Sequence, residues 1–184
     1  RQAGNIAYNL SLLNSNSILM ATVGGDFNSY EKQLSRLDIV QDYVKEVNDS
    51  LTAQAYITTD LDDNQITAFH PGAMMESHQN SISSVTEKVD LAIIAPAGKE
   101  GMIKHAQECS EKKIPFIFDP GQGLPMFDKN ELNIFIDQAT FIAVNDYEAE
   151  LLMKVSELSI SKIQRKVEAL ITVSYTHLTL PTTR

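Results

Sequence analysis

The sequence predicts an α/β fold with a mainly parallel sheet and helices on both of its faces. From Asp90 onward, short apolar runs alternate with amphipathic helical patterns, which is typical of strands joined by right-handed helical crossovers. The runs are rich in β-branched and aromatic residues, as in strands buried on both faces. An earlier pattern over Thr52–Phe69 predicts a hairpin beside this domain. At 184 residues the chain can form one well-buried domain.

The N-terminal part of the chain predicts a helix, a strand and a second helix. The first helix opens at Gly4 and ends near Asn14–Asn16. Ser17–Val23 has the apolar run of a buried strand and stops at Gly24–Asp26. Apolar residues then recur at helical spacing over Phe27–Leu37, which predicts an amphipathic helix.

The hairpin is predicted from alternation between polar and apolar positions. Thr52–Asp60 alternates as a strand with one wet face does, Leu61–Asn64 is a turn, and Gln65–Phe69 returns. Val44–Val47 is a candidate third strand. These segments together predict a small antiparallel sheet.

The second half of the chain repeats strand and helix patterns in a regular order. The predicted order is strand Leu91–Ala95, helix Glu100–Lys113, strand Pro115–Phe118, helix Asn130–Gln138, strand Thr140–Val144, a helix after Asn145, helix Ser161–Ala169 and strand Leu170–Thr172. This order predicts that successive strands lie parallel in one sheet.

Asn145 and Glu148 stand between a buried strand and the helix that follows it. Open α/β folds bind ligands at the carboxyl ends of their strands, so both side chains fall at the predicted binding edge. A structural interpretation competes with this one, because Asn145 can cap the helix and Glu148 suits the helix dipole. Taken alone, the segment favours the structural interpretation.

Composition and charge exclude several classes of function. The formal charge of −9 argues against binding a nucleic-acid backbone, which would need a basic surface. Cys109 is the only cysteine, so there is no disulfide framework, and a reducing cytoplasm is expected. No apolar run approaches the length of a membrane span, and no signal peptide is visible.

Other familiar signatures fail on inspection. Gly98-Lys99 resembles the end of a phosphate-binding loop, but Glu100 stands where Ser or Thr is needed. Gly121-Gln122-Gly123 lacks the third glycine of a dinucleotide fingerprint, which weakens the case for a nicotinamide-dependent oxidoreductase. No set of side chains has metal-ligand spacing, so we expect no direct metal site.

The two ends of the printed chain are unusual. It begins with Arg1 rather than Met, which suggests a fragment. Val173–Arg184 is rich in Thr without helical or strand logic and resembles translated adaptor sequence. We therefore expect the authentic sequence to end near Thr172.

Five ordered segments resemble the ribokinase-like (PfkB-type) carbohydrate and nucleoside kinases. They are Ala3–Leu10 (AGNIAYNL), Val23–Phe27 (VGGDF), Ile57–Met74 with AFHPGAM at its end, Phe118–Gln122 (FDPGQ) and Asn145–Glu148 (NDYE). The third segment resembles the lid of bacterial adenosine-kinase-like members. The resemblance covers Ala3–Thr172 and implies a ribokinase-like three-layer α/β sandwich, incomplete here, with a small antiparallel β lid. It places a partial kinase core in residues 1–43 and 71–172, the lid in 44–70 and a non-native tail in 173–184.

The resemblance implies transfer of phosphate from ATP, with Mg²⁺, to the primary hydroxyl of a nucleoside or sugar, most specifically adenosine. By motif, the resemblance implies that Asn5, Gly4 and Asp26 lie on the substrate side. For Asp26 the main implied role is to fix its loop, and a position close to the ligand is the second. Asn145 and Glu148 are implied to organise Mg²⁺ and phosphate through waters, and Asp119 to assist them. The lid is implied to exclude water, and in some relatives it mediates homodimers.

The sequence also departs from the family. Arg1-Gln2 stands where two glycines are usual, and nothing after Thr172 supplies the Gly-Ala-Gly-Asp segment that holds the catalytic Asp and the anion hole. The ATP site would lie beyond that point too. We therefore expect this chain to be inactive by itself. The alternative is a non-catalytic α/β binding or regulatory module that uses the same edge of the sheet.

Overall fold

The computed structural model describes residues 2–173, and its elements follow the predicted alternation. The helices are α1 Gln2–Leu12, α2 Asn28–Ser35, α3 Lys99–Lys112, α4 Lys129–Gln138, α5 Asp146–Ser156 and α6 Ile160–Gln164. The strands are β1 Ile18–Val23, β2 Val40–Glu46, β3 Gln54–Thr59, β4 Gln65–His70, β5 Ala92–Ile94, β6 Phe116–Phe118, β7 Phe141–Asn145 and β8 Ala169–Val173. Three 3₁₀ segments connect them, at Gly72–Gln79, Ile82–Ser84 and Gly121–Met126.

Strands β5 to β8 form a parallel sheet in the order of the sequence. Helices α3, α4 and α5 bury their apolar faces with this sheet in one continuous core, because apolar side chains recur at helical spacing along each of them. Phe118 lies at its centre and stacks on Phe135, with ring centroids 4.3 Å apart. The expected α/β architecture with a parallel sheet and a small antiparallel one is confirmed.

Strand β2 corrects one prediction. Val44–Val47 was expected to join the hairpin, but the structure places Val40–Glu46 parallel to β1, with Ala21 opposite Val44. The segment shows no strict alternation, since its side chains are partly buried on both faces of the pair. The helix predicted from Phe27 to Leu37 is shortened to α2 because Leu37 and Asp38 make the turn into β2.

The 3₁₀ segment Gly72–Gln79 joins the two parallel sheets. The hydroxyl of Thr22 on β1 donates to the carbonyl of Ala73 at 2.7 Å, and Ser77 Oγ donates to the carbonyl of Gly98 at 3.3 Å. A Cβ at Gly98 would lie 2.5 Å from the carbonyl oxygen of Met75, so only glycine permits this contact with the start of α3. The segment therefore fixes β1 relative to α3.

The antiparallel hairpin β3–β4 projects from this frame. It pairs in regular register from Gln54 opposite His70 to Thr59 opposite Gln65, and every residue of β4 is exposed. The carboxylate of Asp60 accepts from the backbone N–H groups of Asp62 and Asn64, which closes the turn. We call β3, β4 and this turn the lid.

The end of the described chain differs in detail from expectation. The helix expected over Ser161–Ala169 ends at Gln164, and Ala169 already belongs to β8. Val173, assigned to the tail, is the last residue of β8 and lies opposite Asn145. The remainder of the expected tail lies outside the described residues. Within residues 2–173, the helices are all too short or too polar to cross a bilayer.

Candidate functional site

The carboxyl ends of β5, β6 and β7 lie at one edge of the parallel sheet. Asp119 follows β6 and is partly buried, and its backbone N–H donates to the carbonyl of Ile94 at the end of β5, at 3.0 Å. Asn145 ends β7 one strand further along. Because the strands are parallel and in register, Asp119 and Asn145 emerge at the same edge, as predicted.

Asn145 and Glu148 form a reciprocal capping box at the start of α5. Asn145 Oδ1 accepts from the backbone N–H of Glu148 at 2.8 Å, and Glu148 Oε2 accepts from the backbone N–H of Asn145 at 2.9 Å. The structural interpretation of this motif is therefore correct, since both side chains satisfy N–H groups that a helix start leaves unpaired. The same box occurs at α4 with Asp128 and Glu131.

The capping box leaves part of both side chains available. The second carboxylate oxygen of Glu148 and the amide nitrogen of Asn145 have no hydrogen-bond partner within residues 2–173. Both side chains are partly buried, and the positive end of the α5 dipole lies beside them. Such a site can order an anion together with the water shell of a hard cation. In the described part of the chain, no three His, Cys, Asp or Glu side chains are grouped to hold a metal ion.

The turn Gly24–Asp26 after β1 is bound to the segment that leads into the lid. Asp26 Oδ1 accepts from the backbone N–H of Thr52 at 2.7 Å, and Oδ2 accepts from Gln54 Nε2 at 3.0 Å. Thr52, through its hydroxyl and then its backbone N–H, holds the pKa of the Asp26 carboxyl below its usual value. These contacts make Asp26 a residue that fixes the turn, and a contact with substrate stays a prediction.

Gly4 and Asn5 lie on α1, against α2. A Cβ at Gly4 would lie 2.5 Å from the hydroxyl oxygen of Tyr30, so this glycine lets the two helices approach. Asn5 is exposed at a shallow depression between the two helices that Tyr8 and Tyr30 also line. Its carbonyl accepts from Asn9 Nδ2 at 2.8 Å, and its side chain makes no hydrogen bond within the described residues.

The predicted site residues thus fall into two groups. Asp119, Asn145 and Glu148 share the edge of the β5–β8 sheet, whereas Gly4, Asn5 and Asp26 belong to the β1–β2 part. That both groups face one pocket stays a prediction. The partners of Asp26 were not foreseen, because polar residues at the start of a hairpin strand are common and carry no distinct signal.

The chain is similar to known nucleoside kinases over nearly its whole length. The nucleoside kinase of Methanocaldococcus jannaschii is 32% identical over 171 residues, which cover 92% of this chain and 56% of that protein. The structure of the Burkholderia thailandensis nucleoside kinase in complex with inosine is 48% identical, covers 93% of this chain and 57% of that one, and superposes with a TM-score of 0.90. The ribokinase of Cryptococcus neoformans, at 19% identity and a TM-score of 0.66 over 89% of this chain and 52% of that one, shares the fold.

The chain spans about half the length of the curated relatives that it matches, 56% of one and 49% of another. A family model described as pfkB family carbohydrate kinase matches residues 2–177. The match extends from the first described helix to beyond β8, so it covers both groups of site residues. The chain belongs to the pfkB family of carbohydrate kinases.

Proposed function

We propose that the protein to which this chain belongs is an ATP-dependent kinase that phosphorylates the primary (5′) hydroxyl of a nucleoside. The observation that carries the proposal is the Asn145–Glu148 pair at the N-terminus of α5, on the carboxyl edge of a parallel sheet. Phosphoryl transfer depends mainly on positioning and charge stabilisation, and this edge offers a helix dipole beside a carboxylate. Membership of the pfkB family supports the same reaction.

Mg²⁺ fits the chemistry of this edge. It prefers oxygen ligands and keeps several of its waters, so the Glu148 oxygen that has no hydrogen-bond partner within residues 2–173 can orient a hydrated ion. Asp119 follows directly after the neighbouring strand β6 and adds a second carboxylate. When bound, the ion neutralises charge on the phosphates of ATP. A relative has been solved as an ADP-inosine complex, which supports nucleotide use in this branch of the family.

The substrate that we propose first is adenosine. The resemblance of Ile57–Met74 to the lid of bacterial adenosine-kinase-like members favours adenosine. The Burkholderia relative was solved with inosine, so inosine is the main alternative substrate. Asn5, next to Gly4 on α1, supplies both a donor and an acceptor for ribose hydroxyls from an exposed position. We place Asp26, which fixes the turn after β1, on the same substrate side. The lid excludes water, which would otherwise compete as phosphoryl acceptor.

We further propose that the lid serves as a homodimer surface. It exposes Tyr56, Ile57, Ile66 and Phe69, of which Tyr56 and Ile66 lie on one face and Ile57 and Phe69 on the other. Both faces of this two-stranded sheet thus carry apolar side chains, and one face can cover substrate while the other meets a partner.

The location in a reducing cytoplasm stays a prediction based on Cys109 as the lone thiol.

The activity is tested with the complete protein encoded at this locus. ATP-dependent phosphorylation is measured across adenosine, inosine, ribose and fructose, and we expect adenosine to have the highest kcat/KM. Higher kcat/KM for ribose or fructose would remove the nucleoside assignment. No turnover of any of the four would favour the non-catalytic module. We expect the 184-residue chain alone to phosphorylate no substrate, because its sequence has no Gly-Ala-Gly-Asp segment.

A matched pair of variants separates the structural and chemical roles of Glu148. Glu148→Gln keeps an oxygen for the capping box but removes the charge, so we expect similar stability and a roughly 10- to 100-fold loss of Mg²⁺-dependent turnover. Glu131→Gln is the control, because it makes the same change in the box of α4 and also breaks the ion pair with Lys99. Equal turnover in both variants would contradict a role for Glu148 beyond capping.

A further inference from the structure

The carboxylate of Asp26 is exposed, yet both of its oxygens are used by residues at the base of the lid. Oδ1 accepts from the backbone of Thr52, and Oδ2 accepts from the side chain of Gln54, the first residue of β3. Hydrogen bonds between exposed groups contribute little net free energy, because water competes for the same donors and acceptors. An exposed carboxylate with two directed bonds to one neighbouring segment therefore points to a positional role.

The backbone of the same turn holds the same segment. The N–H of Gly24 donates to Thr52 Oγ1 at 3.0 Å, and the N–H of Gly25 donates to the carbonyl of Ser50 at 3.3 Å. A Cβ at Gly24 would lie 2.2 Å from that carbonyl oxygen. The backbone of the turn therefore packs directly against the backbone of the segment that leads into the lid, without side chains between them. The turn after β1 is consequently in contact with the path by which the chain enters the lid.

The contact continues from Asp26 into the lid itself. Gln54 donates from its amide nitrogen to Asp26 and accepts at Oε1 from the hydroxyl of Tyr56. Both ends of the amide are thus satisfied in one orientation. Gln54 and Tyr56 are two residues apart and lie on the same face of β3, so the relay runs along that face away from the core.

The chain leaves the lid through the same junction. Gly72, just after β4, has φ +47°, and a Cβ there would lie 2.1 Å from the carbonyl oxygen of Leu51. That oxygen accepts from the backbone N–H of Ala73 at 2.8 Å. Both connections of the lid therefore meet at Leu51, one residue before the segment that Asp26 holds, while β4 is exposed along its whole length.

We propose that Asp26, Gln54 and Tyr56 form a hydrogen-bonded latch that sets the position of the lid relative to the core. Asp26 is then a positioning residue, which acts on substrate through the lid rather than by contact. Its consequence for catalysis rests on the proposed nucleoside kinase function, whereas its effect on the lid does not. The lowered pKa of Asp26 agrees with the latch, since the bonded form is the carboxylate.

The test compares Asp26→Ala with Asp42→Ala in the complete protein. Asp42 is an exposed carboxylate on the adjoining strand β2 and has no side-chain hydrogen bond within the described residues. Backbone hydrogen exchange is followed in the lid and in α4, and KM and kcat are measured with adenosine and ATP. For Asp26→Ala we expect lid exchange about tenfold faster, unchanged exchange in α4, and KM for adenosine about tenfold higher with kcat within about twofold.

A second variant tests the relay without touching the turn. Tyr56→Phe removes only the hydroxyl that donates a hydrogen bond to Gln54 Oε1, so we expect a smaller effect of about threefold on lid exchange and KM. Lid exchange in Asp26→Ala equal to that in Asp42→Ala would overturn the latch. So would faster exchange that appears equally in α4, which would mean general destabilisation. If the wild type phosphorylates no nucleoside, the proposed function fails, and the exchange data still decide the latch.

Discussion

The two halves of the described chain are stabilised by different means. The β5–β8 half buries a continuous core that includes Phe116, Phe118, Phe135 and Leu152. The β1–β2 half has a much smaller cluster, made of Ala7, Leu19, Leu34 and Ile39. Its lid has no buried residue at all.

Polar contacts and close glycine contacts replace packing in the β1–β2 half. The junction at Gly24 and Asp26 is made of hydrogen bonds between exposed or partly buried groups, which contribute little net free energy each. Parts of a protein with few buried apolar contacts open most easily. We therefore expect the β5–β8 half, which presents the proposed phosphate edge, to be the rigid half, and the half that carries the lid to be the one able to move.

The largest expected effect breaks the rigid half. Phe118→Ala removes a fully buried ring that stacks on Phe135 and meets Phe127 edge to face, so we expect a loss of about 3–5 kcal/mol in the free energy of unfolding. Chemical denaturation of the complete protein measures it. Ile134→Ala, at an exposed position of α4, is the control and should change stability by less than about 1 kcal/mol. A loss for Phe118→Ala that only matches the control would contradict the central place of this ring.

The next effect opens the lid junction. Gly24→Ala places a methyl group 2.2 Å from the carbonyl oxygen of Ser50, which is backbone and cannot step aside as a flexible side chain does. We expect a loss of about 1–3 kcal/mol, with hydrogen exchange rising first in the lid. Gly25→Ala is a close control, because its Cβ would meet only Glu46 Oε1, at 3.6 Å. Similar losses in the two variants would show that the junction tolerates separation.

Sequence patterns predicted the rigid half well and the mobile half less well. In the β5–β8 half, each strand is a short apolar run next to an amphipathic helix, so pattern and packing agree. Strand β2 was foreseen only in part, as Val44–Val47 and in the wrong sheet, because Val40–Glu46 carries Asp42 and Lys45 among its apolar residues and, within the described residues, pairs with β1 alone. A segment that buries few side chains shows only a weak periodicity of apolar residues, and secondary structure is predicted from that periodicity.

The candidate site was predictable only in part, for a related reason. Asn145 and Glu148 stand at fixed spacing within one segment, so their capping box follows from local geometry. The bonds from Asp26 to Thr52 and Gln54 join residues 26 and 28 positions apart. No local pattern encodes such a contact, because it depends on how the turn after β1 meets the base of the lid.

A smaller effect compares two helix starts with the same local geometry. Asn145→Ala and Asp128→Ala each remove a cap whose side chain accepts from the backbone N–H three residues on, so each should cost about 1 kcal/mol. Urea denaturation measures both. Only Asn145→Ala should also lower the turnover of the complete protein, because Asn145 itself ends β7 at the proposed phosphate edge, whereas the 3₁₀ segment Gly121–Met126 separates Asp128 from the end of β6. If Asp128→Ala lowers turnover as much, the loss comes from helix fraying and not from the site.

The smallest expected effect is a change in the pKa of one carboxyl group, that of Asp26, compared with Asp60 in the lid. Asp26 and Asp60 both have a pKa below the usual 3.8, Asp26 through hydrogen bonds from Thr52 and Asp60 through hydrogen bonds from Asn64 in its own turn. A lowered pKa means that each contribution to stability is present above pH 3.8 and is lost as the pH falls through the folded value. Carbon-detected NMR titration should place both midpoints below 3.8.

Gly24→Ala then distinguishes the two carboxyls. It forces the turn away from the segment that holds Thr52, so the midpoint of Asp26 should rise toward 3.8. Asp60 should keep its lowered midpoint, because its partners Asp62 and Asn64 lie in its own turn and move with it. A midpoint of Asp26 that does not respond would mean that its hydrogen bonds survive separation of the junction. In that case the lid is held elsewhere, and the contrast between a packed half and a half held by polar contacts loses its main support.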